Sequence, residues 1–214
     1  MFLDYARIAA ADGAVLGLPL TGPGLAAGAR AAARVMEAPR ASDRERAAAY
    51  LEALFLEAGV PAARMAEVRE TLTRLHGERH LWSGVAADTP GALRRLRAAG
   101  LRLGVVSNSD GRVEEALEAA GLRRYLDVVV DSTLAGVEKP DPAIFRAALD
   151  ALGVAPSEAL YVGDLYDVDV IGANAAGIRA VLLLEPGGGA PAGCAAVASI
   201  GALADDLLKE RFAS

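Results

Sequence analysis

Two textures divide the chain. Up to about residue 80, apolar positions recur three and four apart, as on one face of a helix; beyond residue 88, short apolar runs alternate with helical stretches. In the first region "GPGLAAGARAAARVMEA" is an alanine-rich helix, and "ASDRERAAAYLEALFLEAGVP" sets Ser42 and Glu45 at capping-box spacing and stops at Gly59 before Pro61. A third stretch takes Pro61 into its first turn and repeats Met65, Val68, Leu72 and Leu75. A small helical bundle is therefore expected over residues 1–82.

In the second region "DTPGALRRLRAAG" predicts a helix capped by Thr89, with Pro90 in its first turn and Gly100 at its end, followed by the strand "LRLGVVS". The pattern then recurs: helix 111–120, strand 126–131, helix 142–152, strand 159–164, helix 169–176, strand 179–184, with Gly121, Gly153 and Gly177 closing the helices. "EPGGGAPAG" reads as a loop, and Ser199 as the cap of a last helix with Leu203, Leu207 and Leu208 on one face. Short apolar strands alternating with helices of this length predict an α/β domain over residues 83–214, with a parallel sheet of at least four strands and helices on both faces.

Composition narrows the classes. The 214 residues are 53% hydrophobic and 23% charged, ordinary for a globular protein. A net charge of -6, a pI near 5.0 and 5% aromatics leave neither a basic surplus nor stacking platforms, so nucleic acid is not an expected partner. One cysteine, Cys194, excludes an internal disulfide and fits a reducing compartment. The N-terminus "MFLDYARIAAADG" lacks the pattern of a secretory leader, and no run reaches the roughly 18 apolar residues of a membrane span. No membrane partner is expected, and the chain reads as cytoplasmic.

In an open parallel sheet, ligands bind beyond the carboxyl ends of the strands, and three polar groups lie at such ends. Ser107, Asn108 and Ser109 follow the first strand; they suit a helix cap, or a seat for a phosphoryl oxygen. Lys139, in "EKPDP", is either a solvated lysine in a turn or a cation held near clustered carboxylates and a bound anion. Asp164, Asp167 and Asp169 fall within six positions, more acids than capping needs. A hard cation such as Mg²⁺ takes one or two carboxylates with water and phosphate oxygens, which makes Asp164, at the strand tip, the best ligand candidate; Asp169 is placed to orient a metal-bound water or to hold Lys139. His76 and His80, four apart in "HGERH", lack a third ligand nearby and read as a helix end.

Together "LGVVSNSDGRVEEALEAAGL", "GVEKPDPAIFRAALDALGV" and "ALYVGDLYDVDVIGANAAGI" resemble, in order and spacing, the second, third and fourth motifs of the haloacid dehalogenase (HAD)-like hydrolase superfamily. The resemblance implies a Rossmann-like core over 83–214 and an N-terminal helical cap over 1–82. It also implies a Mg²⁺-dependent phosphatase acting on a small phosphorylated metabolite. Ser107 and the Asn108 backbone would hold the phosphoryl group, Lys139 would stabilise charge, and Asp164 would ligate Mg²⁺ with Asp169 in support. The family's first motif, an apolar strand ending in Asp-x-Asp-x-Thr, is not found. Three residues precede Asp4, too few for a buried central strand, so Asp4 is expected at the start of the first helix behind a fraying terminus. The alternative is a HAD-like protein without hydrolytic activity that acts as a binding or structural module. A homodimer is left open.

Overall fold

The computed structural model describes residues 1–36, 43–184 and 188–212, and divides into two compact units, Met1–Gly84 and Val85–Ser214. Ser42 and the start of the glycine-rich loop at 185–187 lie outside the described residues.

In the first unit α1 (Tyr5–Leu16) packs against α2 (Gly22–Met36) and α4 (Met65–Glu78), and α2 against α3 (Asp43–Glu57). The four periodic residues Met65, Val68, Leu72 and Leu75 are all buried, in one core with Ile8, Leu16, Leu25, Leu54 and Phe55. Asp4 caps α1: its Oδ1 accepts from the Arg7 N–H at 3.2 Å, and its Oδ2 accepts from the Arg79 guanidinium at 2.8 Å. The stretch before it is bonded to the other end of the unit. Phe2 and Gly84 exchange two backbone hydrogen bonds of 3.0 and 2.8 Å, the Asp4 N–H donates to Leu81 O, and Leu3 is buried, so the two ends of the unit are tied together.

The second unit begins with α5 (Thr89–Ala98), whose N-cap position is Asp88 rather than Thr89 and has no side-chain capping bond. The Asp88 carboxylate accepts instead from the Gly201 N–H at the start of α10 (Ile200–Phe212). Ser199 caps α10 through the Ala202 N–H at 3.1 Å. Strand β1 (Gly104–Ser107) leads through α6 (Val113–Ala119) to β2 (Val128–Asp131), and the two pair in parallel with Ser107 opposite Asp131. A short turn of helix, α7 (Ser132–Ala135), and α8 (Pro142–Leu152) lead to β3 (Leu160–Gly163). Then follow α9 (Ile171–Ala175), β4 (Arg179–Leu183) and the two-residue β5 (Ala196–Val197), with β3, β4 and β5 parallel in that spatial order.

Side chains alternate across the strands as period two requires. Val106 and Val130 pack with Ile144 and Phe145 of α8, whereas Val105 and Val129 pack with Val113 and Leu117 of α6. Helices therefore cover both faces. Among the described residues the parallel strands form two ladders, of two and three strands, rather than one sheet of four or more. The ladders share a core, because Val106 and Val130 belong to the same cluster as Tyr161, Ala180 and Leu182. Among the described residues no helix is long and apolar enough to cross a membrane.

Candidate active site

All three predicted groups lie at or beyond the C-terminal ends of the strands of the second unit, and side-chain bonds join Lys139 to each of the other two. The Asn108 side chain, just beyond β1, accepts from the Lys139 N–H at 2.8 Å and donates to Lys139 O at 3.1 Å. Its amide is thereby committed to the Lys139 peptide, and what it can offer a ligand is its backbone N–H. The Ser109 N–H is committed as well, to the Ser132 hydroxyl at 3.1 Å. The Ser107 hydroxyl makes only a 3.4 Å contact with Asn108 O, long for an O–H donor, so it remains available.

Lys139 is buried against Asp169, Nζ to Oδ1 at 2.7 Å, with the two side chains 12% and 3% exposed. Tyr161, which the motifs do not point to, completes a triad. Its hydroxyl lies 3.2 Å from Lys139 Nζ and has one proton to give, either to Asp169 Oδ1 or to Val106 O, each also 3.2 Å away. The bond to Val106 O reaches from β3 to β1, so the tips of those strands are neighbours. Burial alone would lower the Lys139 pKa, but Tyr161 and Asp169 more than offset it and raise it, so the ammonium stays charged. Desolvation raises the Tyr161 hydroxyl, which stays a neutral phenol.

Asp169 reaches this position because the chain beyond β3 does not enter a regular helix at residue 169. Tyr166–Val170 forms a π-turn ahead of α9, a wider turn of the kind frequent at functional sites. The Asp169 N–H donates to Leu165 O and its Oδ2 accepts from the Leu165 N–H, at 2.7 and 3.0 Å. The carboxylate then folds under the tip of β3, where only glycine leaves room: a Cβ on Gly163 would lie 2.3 Å from Asp169 Cγ.

The three clustered acids thus have different surroundings. Asp169 is buried and paired, Asp167 is exposed, and Asp164 reaches solvent at the strand tip. Protein crowding first, and the charge of Asp169 second, push the Asp164 carboxyl above the usual carboxylate range while Lys139 pulls it down; its access to water limits the net shift. Asp164 makes no ion pair among the described residues, and a water-accessible carboxylate is the hard oxygen donor that Mg²⁺ prefers, so the residue fits such an ion.

Asp131, Ser132 and Thr133 at the end of β2, not among the candidates above, bond the loop after β1. An acid followed by two hydroxyl residues directly behind an apolar strand was the available signal. His76 Nδ1 accepts from the Leu81 N–H at 3.3 Å, a role in the turn that leaves α4.

A protein-family model for haloacid dehalogenase-like hydrolases matches residues 9–177. The chain is 40% identical over 133 residues to haloacid dehalogenase-like hydrolase domain-containing protein 3 of Bos taurus, covering 62% of this chain and 53% of that one. It is also 40% identical over 126 residues to a phosphoserine phosphatase of Thermus thermophilus, covering 58% and 49%. The chain spans about half the length of the curated relatives it matches. Among solved structures, the magnesium-bound YfnB of Bacillus subtilis superposes with a TM-score of 0.67 over 96% of this chain and 93% of that one; at 17% identity the likeness is one of fold. With most of its length matched by the family model, the chain belongs to the haloacid dehalogenase-like hydrolases.

Proposed function

We propose that the second unit carries the site of a Mg²⁺-dependent phosphatase for a small phosphorylated metabolite, and that the helical unit is its cap. The observation that carries this reading is the buried Lys139–Asp169 pair at 2.7 Å, with the Lys139 peptide bonded to the loop of Ser107 and Asn108. A lysine kept charged in a desolvated setting stabilises an anion far better than one in water. The phosphatase named among the relatives supports the substrate class. The single cysteine supports a cytoplasmic setting.

On this reading the Ser107 hydroxyl and the Asn108 N–H seat two phosphoryl oxygens, and Lys139 offsets charge that builds on them. Asp169 and Tyr161 fix the ammonium in place. Asp164 would hold Mg²⁺, which supplies charge neutralisation on the phosphoryl oxygens when bound. Asp169 and Asp131 have both carboxylate oxygens engaged, so neither takes the part of an attacking group.

The test is phosphate release from a generic aryl phosphate with and without Mg²⁺, by this chain and by a version extended at its N-terminus to the length of the relatives. Mg²⁺-dependent release lost in both Lys139→Ala and Asp164→Asn is the expected result. Release indifferent to both changes rejects the site. Phosphate binding without release by either version favours a binding module instead.

A further inference from the structure

The candidate seat is the end of β1 at Ser107 and the loop 108–112 that leads into α6, and a loop keeps one shape only where its backbone N–H groups have fixed partners. Those partners come from the end of the neighbouring strand. Asp131 is 4% exposed and sits opposite Ser107 in the β1–β2 register. Its Oδ1 accepts from the Gly111 N–H at 3.1 Å and the Thr133 N–H at 2.9 Å; its Oδ2 accepts from the Val113 N–H at 3.3 Å. The Ser132 hydroxyl lies between the Ser109 N–H and Ser109 O, at 3.1 and 3.3 Å, and the Thr133 hydroxyl donates to Ser109 O at 2.6 Å.

The helical turn that Asp131 caps, which carries Ser132 and Thr133, contributes little to the core, since its one large apolar side chain, Leu134, is 77% exposed. Its polar groups instead bind one target, the loop after β1. We propose that Asp131, with Ser132 and Thr133, is the positioning residue of the anion seat: it sets the shape in which the Ser107 hydroxyl and the Asn108 N–H converge. The proposal rests on the reading of Ser107 and Asn108 as that seat. A carboxylate is required because every group facing it is a donor; an asparagine would turn its NH₂ toward one of those N–H groups and leave a buried donor unmatched.

The probe is inorganic phosphate with Mg²⁺, titrated into the whole chain and followed by amide NMR, together with hydrogen exchange at Gly111 and Val113. Asp131→Asn is compared with Asp127→Asn at the other end of β2, whose carboxylate accepts from the Leu103 N–H at 2.8 Å and the Arg97 guanidinium at 2.6 Å. Both variants lose stability. Only Asp131→Asn is expected to weaken phosphate binding, by about tenfold or more, and to speed exchange at Gly111 and Val113. Should Asp131→Asn not fold, Ser132→Ala replaces it, with faster exchange at Ser109 and weaker binding of the same sign. Unchanged affinity in these variants, or an equal loss in Asp127→Asn, overturns the proposal. If the unaltered protein binds no phosphate, the seat reading fails by itself. Exchange then decides the positioning role: faster exchange at Gly111 and Val113 sustains it, and unchanged exchange rejects it.

Discussion

Asp12 is an uncompensated buried acid in the helical unit. It is fully buried in α1, and neither carboxylate oxygen has a hydrogen-bond partner among the described residues. Burial pushes its pKa up to about 7, against a smaller downward pull from Arg74. Such an acid folds most favourably when neutral. Its contribution to stability is fully present below the ordinary carboxylate pKa and is lost as pH rises through about 7, because only the unfolded chain ionises freely in that window. Asp12→Asn should raise urea stability at both pH 5 and pH 8, and by on the order of 2 kcal/mol more at pH 8 than at pH 5. A protein as stable at pH 8 as at pH 5, and indifferent to the substitution, would remove the argument. Lys139 is the opposite case, a buried charge with its partner in place. Lys139→Met strands the Asp169 carboxylate and should cost about 3–5 kcal/mol in denaturant unfolding, with part recovered when Asp169→Asn is added. The pairing of Lys139 with Asp169 was one of two readings the sequence offered, whereas the environment of Asp12 was not legible. Asp12 stands in an alanine-rich helix like any surface acid, and burial there depends on α2 and α4, which come from other parts of the chain.

Among the elements, those with a strong period and a glycine stop were readable. Helix α8 occupies the expected 142–152, starting at a proline and closing on Gly153 at φ 64°. Asp141 caps it, accepting from the Ala143 N–H at 2.8 Å, so Asp141→Ala should lower the melting midpoint by the equivalent of about 1 kcal/mol. Elements shaped by polar contacts were not readable. The π-turn at Tyr166–Val170 exists because Asp169 bonds both ways with Leu165 and reaches Lys139, and hydrophobic spacing carries no record of that. Gly163→Ala is the sharpest probe of this element. The added methyl meets Asp169, so the ion pair must open, and the loss of stability should exceed that of Tyr161→Phe, which removes only one neutral hydroxyl. Equal losses in thermal melts would mean that the turn moves freely.

At the scale of the whole chain, the order of motifs pointed to the family, and the period-two strands with their flanking helices gave the layered core. What they did not give is which strands pair. That depends on contacts far apart in sequence, so an expected continuous sheet appears as ladders of two and three strands linked by Tyr161 and a shared core. The spread of acids has a consequence for metal binding. With Asp169 bound to Lys139, Asp164 is the acid left at the tip of β3, and a cation held by so few ligands keeps most of its water. Mg²⁺ should bind this chain weakly, and calorimetry should show the heat lost in Asp164→Asn; tight binding that survives the change places the ion elsewhere.

The reciprocal bond between the Asn108 amide and the Lys139 peptide bears on how this site can be re-engineered. Segments more than thirty residues apart in sequence are keyed to each other by one side chain, so they are not interchangeable parts. A chimera that takes its 132–141 stretch from a relative will present a lysine at the right height only if the residue at 108 still reads that backbone. Recombination between relatives is therefore expected to succeed when both segments travel together, and to yield folded but misaligned hybrids when they are separated.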